Sequence, residues 1–103
     1  MATTSTKVMS TEFAGDYKLV RVTYTPTAAS ELVVITAATH GISEIAMVFP
    51  KLQQPNTSGA AGNCFNIFAT FSGLNITCVT SDAAGAASTT WTGVTAELLI
   101  IGK

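Results

Sequence analysis

The segment "VTAELLII", Val94 to Ile101, constrains the fold more than any other part of the chain. Its residues alternate: Val94, Ala96, Leu98 and Ile100 share one face, and Thr95, Glu97, Leu99 and Ile101 the other. Period two with branched side chains is the signature of a β-strand. Leu99 and Ile101 make the second face apolar as well, which does not suit a sheet with one fully wet face. Only Gly102 and Lys103 follow, and chain ends fray unless something ties them down. The expectation is that the first face packs into a core. Leu99 and Ile101 would then be covered by another subunit or by the N-terminal segment.

Other segments read the same way. Tyr17 to Thr25 places Val20, Val22 and Tyr24 on one face, and Pro26 closes it because proline cannot donate to a ladder. Glu31 to Thr36 is a strand apolar on both faces, either buried or facing an interface, with Val33 and Ile35 as candidate interface residues. Ala37 to Gly41 reads as a turn. Ile42 to Phe49 fits a helical face through Ile42, Ile45 and Phe49, or a strand face through Ile45, Met47 and Phe49. Strand is preferred because its neighbours are strands and no strong helix cap precedes it, with Pro50 as its end.

Pro50 to Asn63 and Ser81 to Gly93 read as long surface loops. Cys64 to Phe71 and Ile76 to Thr80 form the best hairpin signal, with Phe65, Ile67, Ala69 and Phe71 on one face. A loop of three residues, Ser72 to Leu74, would set Phe71 opposite Asn75 and Cys78 opposite Phe68. Met1 to Asp16 is polar and lacks a sustained period, so residues 1–16 read as a flexible arm with a short pairing segment near Thr11 to Phe13. Six strands joined by Gly, Pro and Ser turns, with no convincing helix, point to an all-β fold. The expected architecture is an antiparallel β-sandwich, jelly-roll-like, in a single domain over residues 17–103.

Charge narrows the partners. Charged residues are 11% of the chain, against about 25% in a typical soluble domain. Thr, Ser, Ala and Gly take their place, and a net charge of -1 does little to keep copies apart. That favours a protein that lives in an assembly, as a homo-oligomer. The scattered bases Lys7, Lys18, Arg21, Lys51 and Lys103 form no stripe for phosphates, which argues against nucleic acid. The longest apolar run, Leu98 to Ile101, is far below the ~20 residues of a spanning helix, which argues against a membrane. The first residues lack a signal-peptide core, so the expectation is a protein that is not secreted. The sequon-like Asn56-Thr57-Ser58 and Asn75-Ile76-Thr77 then read as coincidences of a Thr-rich chain.

No pattern of residues amounts to a known chemistry. One histidine, His40, sits in a predicted turn, and Cys64 and Cys78 do not have zinc-ligand spacing, so no metal or other cofactor is expected. The hairpin register separates the two cysteines by roughly 13 Å along the strand, beyond the reach of a disulfide. Both read as reduced, buried thiols. "HGISE" is not a triad, and Glu12, Asp16, Glu31, Glu44, Asp82 and Glu97 are isolated carboxylates. "GAAGN" lacks the Lys and Ser/Thr of a phosphate loop. The expectation is therefore no enzyme. Trp91 reads either as a plug of the core or as a contact residue for protein or sugar.

The hairpin "FNIFATFSGLNITCVT", the loop "SDAAGAASTTWTG" and the ending "VTAELLIIGK" give the last forty or so residues a family likeness. They resemble the C-terminal part of small tailed-phage virion proteins, head decoration (cement) proteins foremost. That resemblance implies a small β-domain, trimeric in the favoured form, on the exterior of a capsid and made in the host cytoplasm. There it would clamp neighbouring copies of the major capsid protein by many symmetric contacts. Candidate interface residues are Leu99, Ile101, Val33, Ile35 and Trp91. The N-terminal arm would reach a neighbour, and the two long loops would touch the capsid or face outward. A tail, neck or fibre component, or a carbohydrate- or host-recognition β-sandwich, is the alternative.

Overall fold

The computed structural model describes residues 2–3, 6–12, 17–54 and 62–103. The strands are β1 (Ala2–Thr3), β2 (Thr6–Glu12), β3 (Lys18–Tyr24), β4 (Ser30–Val34), β5 (Ile45–Gln54), β6 (Asn66–Ser72), β7 (Asn75–Ser81) and β8 (Thr95–Gly102), with a one-turn helix α1 (Ala37–His40) between β4 and β5. They form two packed sheets, ordered β1-β4-β7-β6 and β2-β3-β8-β5. These are called the β7 sheet and the β8 sheet below, after a central strand of each. From β3 to β6 successive strands alternate between the sheets, the β6–β7 hairpin turns back, and β8 returns beside β3. Outgoing strands thus pair with returning ones, β3 with β8 and β4 with β7, which is the wrapping of a jelly roll. The chain is an all-β sandwich, as its alternation predicts.

The core lies between the sheets. From the β8 sheet come Val20, Val22, Tyr24, Ala96, Leu98 and Ile100, and from the β7 sheet Val33, Ile76 and Cys78, all buried. Cross-strand register sets Val22 opposite Leu98 and Val20 opposite Ile100. Each such side chain contributes roughly 1.5–3 kcal/mol on burial. Ile35, just past β4, and Ile42, after α1, close one end of the core.

Three sequence expectations are corrected by the pairing. The first concerns the N-terminal arm. β2 pairs with β3 from Thr6↔Thr23 to Glu12↔Lys18, and β1 runs parallel to β4. The Thr- and Ser-rich segment hides this because the edge of β3 supplies the template for pairing, with no help from a periodic apolar pattern. Phe13, the end of the expected pairing segment, lies outside the described residues.

The second correction is that β5 runs through Pro50 to Gln54, with Pro50 opposite Leu98. β5 is an edge strand, where proline is tolerated if its nitrogen faces the free side. The third is the hairpin turn. It has two residues, Gly73 and Leu74, so Ser72 faces Asn75 and Cys78 faces Ala69. Gly73 takes φ 60, the left-handed conformation that tight hairpins demand.

The chain end is locked. Lys103 N–H donates to the Glu44 carbonyl at 2.9 Å, and Ser43 N–H donates to the Lys103 carbonyl at 2.7 Å. The Lys103 ammonium sits 5.1 Å from the Tyr17 ring centroid. Gly102 makes this approach possible, because a side-chain carbon there would collide with the Glu44 carbonyl oxygen and press on Ile42. The glycine is thus required by a backbone contact. Gly102→Ala is expected to lower the unfolding free energy by about 2 kcal/mol, measured by urea denaturation at neutral pH. An unchanged midpoint would contradict the tight crossing.

Candidate functional site

The outer surface of the β8 sheet joins three strands into one patch. Register aligns Leu19, Ile101 and Met47 in one row and Arg21, Leu99 and Phe49 in the next. Met47 is 52% exposed and Phe49 50%, while Leu19, Leu99 and Ile101 are half-buried among their neighbours. Met47 and Phe49 thus leave two large apolar side chains open side by side on a strand edge.

The patch has a polar border. The third row is Thr23, Glu97 and Lys51. Glu97 Oε2 accepts from the Arg21 guanidinium at 2.9 Å and from Gln53 Nε2 at 2.9 Å. The Arg21 hydrogen bond first, and the Gln53 amide second, hold the Glu97 carboxyl down to about 2. Glu97 is 7% exposed. Charge and hydrogen bonds thus fix one end of the face while its other end stays apolar.

Of the five candidate interface residues, Leu99 and Ile101 lie on this surface. Val33 and Ile35 do not. They are buried between the sheets at 0% and 1% exposure, and so belong to the core of a single chain. "ELVVIT" looks two-faced because Val34 and Leu32 point out from the β7 sheet, and sequence does not say which set meets the core. Trp91, in the loop between β7 and β8, is half-buried, and its indole N–H donates to Thr80 Oγ1 at 2.9 Å.

Sequence reasoning missed Leu19, Met47 and Phe49 as surface residues. The pattern Ile45, Met47, Phe49 was visible as one strand face, but the register of β5 shifts between Ile45 and Met47. That bulge sends Ile45 into the core and Met47 and Phe49 outward.

Two buried carboxylates away from this face brace turns. Asp82, buried at the end of β7, accepts from Ala84 N–H and Ala86 N–H through Oδ1 and from Gly62 N–H through Oδ2. The backbone donors of Gly62 and Ala86, chiefly, push its carboxyl below the usual range. This ties the loop after β7 to the segment entering β6, so these loops are pinned together at their bases. Buried Glu31 likewise accepts from Thr27 N–H at 2.7 Å, from Ala28 N–H and from the Thr27 hydroxyl, bracing the turn before β4.

His40 accepts from Thr36 N–H through Nδ1 at 3.0 Å, while the Thr36 hydroxyl caps α1 by accepting from Thr39 N–H. These are the local contacts expected of a turn histidine. Cys64 and Cys78 are buried and free, and burial raises both thiols above their ordinary range. Such thiols are poor nucleophiles at neutral pH. Among the described residues, no three His, Cys, Asp or Glu side chains gather as metal ligands. Nor, among these residues, is any helix long and apolar enough to cross a membrane.

The chain matches no protein-family model, no curated protein and no solved structure.

The Glu97 cluster gives a direct test. Its carboxyl is held near 2 in the fold and titrates at about 4.3 in an unfolded chain. Its contribution to stability is present above the unfolded value and is lost as pH falls through that interval. Glu97→Gln is expected to cost about 1 kcal/mol at neutral pH and to flatten the loss of stability between about pH 5 and pH 2. Urea unfolding across that range measures both effects.

Proposed function

We propose that this chain is a non-enzymatic structural protein of a tailed-phage virion: a head decoration protein that oligomerises, as a trimer in the favoured form, and binds major capsid subunits. The observation that carries the reading is the apolar outer face of the β8 sheet, Leu19, Met47, Phe49, Leu99 and Ile101, bounded by Arg21, Glu97 and Lys51. A face of this kind gives a weak contact per copy, which symmetry on a shell multiplies. The low charge of the chain, 11%, supports close packing of copies. The likeness of residues 64–103 to small virion proteins gives the class of partner. A tail, neck or fibre position would use the same face. A sugar-binding role for Trp91 has less support, since the indole is half-buried and its N–H is engaged by Thr80.

The test is co-sedimentation with capsids of the phage that encodes the protein. The wild type is expected to pellet with them. Met47→Glu and Phe49→Glu, at sites already half open to solvent, are expected to weaken binding about a hundredfold. Their unfolding midpoints should stay close to wild type. A folded wild-type protein that stays in the supernatant would overturn the reading.

A further inference from the structure

β6 ends its sheet among the described residues and carries no proline, no charge and no register shift to deter pairing. The other edge of that side, β5, holds Pro50, Lys51 and two register shifts. Around β6, "NIFATFS", the whole stretch from Cys64 to Ser81 is uncharged. Strand edges of this kind are templates for another strand.

The two-residue turn fixes which backbone groups are free. In such a hairpin the pair flanking the turn, Ser72 and Asn75, is a hydrogen-bonded pair, and these alternate along the ladder. Asn66, Phe68, Thr70 and Ser72 therefore spend their backbone groups on β7. The Thr80 N–H donating to the Ala29 carbonyl agrees, since it turns alternate residues of β7 toward β4. Ile67, Ala69 and Phe71 consequently aim N–H and C=O at the open edge. No described residue outside the strand takes them up.

The side chains along this edge are self-complementary. An antiparallel copy related by a two-fold axis through Ala69 overlaps the full length of the strand, Asn66 to Ser72. Ile67 then meets Phe71 of the copy on the side facing the core, and Phe68 meets Thr70 on the outer side. Asn66 meets Ser72, and the smallest residue, Ala69, lies on the axis. Aromatic residues facing β-branched ones are favourable cross-strand pairs. Phe68 is 61% exposed and Phe71 41%, so both have area to bury. With no charge on the strand, like strands meet without repulsion.

We propose that β6 is a self-association edge: two copies join their β7 sheets antiparallel through β6, centred on Ala69, into one continuous sheet. The contact is isologous and closes at two copies. It is smaller than the ~1,200 Å² of a standard interface, so it is reversible. It uses the opposite sheet from the apolar face described above and does not depend on the capsid reading. A three-fold contact elsewhere on the molecule is compatible with it.

Two measurements test the proposal. Light scattering and sedimentation velocity over a concentration series compare the wild type with Ala69→Pro. That substitution removes an outward N–H from each copy and no bond to β7. It is expected to weaken self-association about thirtyfold, halving the mass at intermediate concentration. Circular dichroism confirms that the variant is folded. Independently of that variant's folding, a mixture of Phe68→Cys and Thr70→Cys proteins is oxidised. The two positions face each other at about 4.5 Å between Cα atoms in a non-hydrogen-bonded pair, within disulfide range. The mixture is expected to give a covalent dimer. Either protein alone should not, since two copies of position 68 lie about 8 Å apart. A monomeric wild type, an Ala69→Pro protein that associates as strongly, or a mixture that fails to cross-link would each overturn the proposal. An edge reserved for a strand of a different protein would give the first and third of these results. Failure of capsid binding with dimerisation intact would remove the capsid reading and leave this one standing.

Discussion

The structure depends on β8 being held from both sides. It pairs with β3 along one edge and β5 along the other, from Thr95 to Gly102. Its inward residues Ala96, Leu98 and Ile100 are fully buried. A strand flanked on both edges satisfies its whole backbone and places its apolar face at the centre of the core. Gly102 completes the arrangement by letting Lys103 and Glu44 exchange backbone contact where any side chain would intrude. The apolar chain end is thereby a structural member.

With β8 central, the apolar outer face of its sheet and the β6 edge have different origins. The outer face of the β8 sheet is apolar because Leu99 and Ile101 must emerge opposite Leu98 and Ile100, and their neighbours Leu19, Met47 and Phe49 follow in register. Among the described residues β6 is the end strand of its sheet because the jelly-roll wrapping ends that sheet at the hairpin. Polar side chains with buried carboxylates, Glu31 and Asp82, are occupied by backbone donors and hold turns in place.

The strands of the body were legible wherever alternation was clean. β3, β7 and β8 follow the period-two pattern closely, and the inward faces of β3 and β8 are the ones their sequences indicate. β2 was legible only near its end at Thr11, because "TKVMSTE" sustains no apolar rhythm. β5 was legible as a strand only to Pro50, and its outward residues were hidden by a bulge that no local pattern announces. For the candidate site, Leu99 and Ile101 were visible as an excess of apolar faces. Val33 and Ile35 gave the same signal and proved to be core, since a strand apolar on both faces does not declare which side is wet.

The sequence by itself determined an all-β fold with few charges and an apolar final strand with one face suited to a core. These follow from side-chain type and from the period of two, which are local properties. Only the tertiary structure decided which faces meet, which edges stay open and why Gly102 must be glycine. Those depend on register and on backbone approach between segments such as Glu44 and Lys103, separated widely along the chain. A one-residue shift in register exchanges the buried and exposed faces of a strand, and composition does not record it.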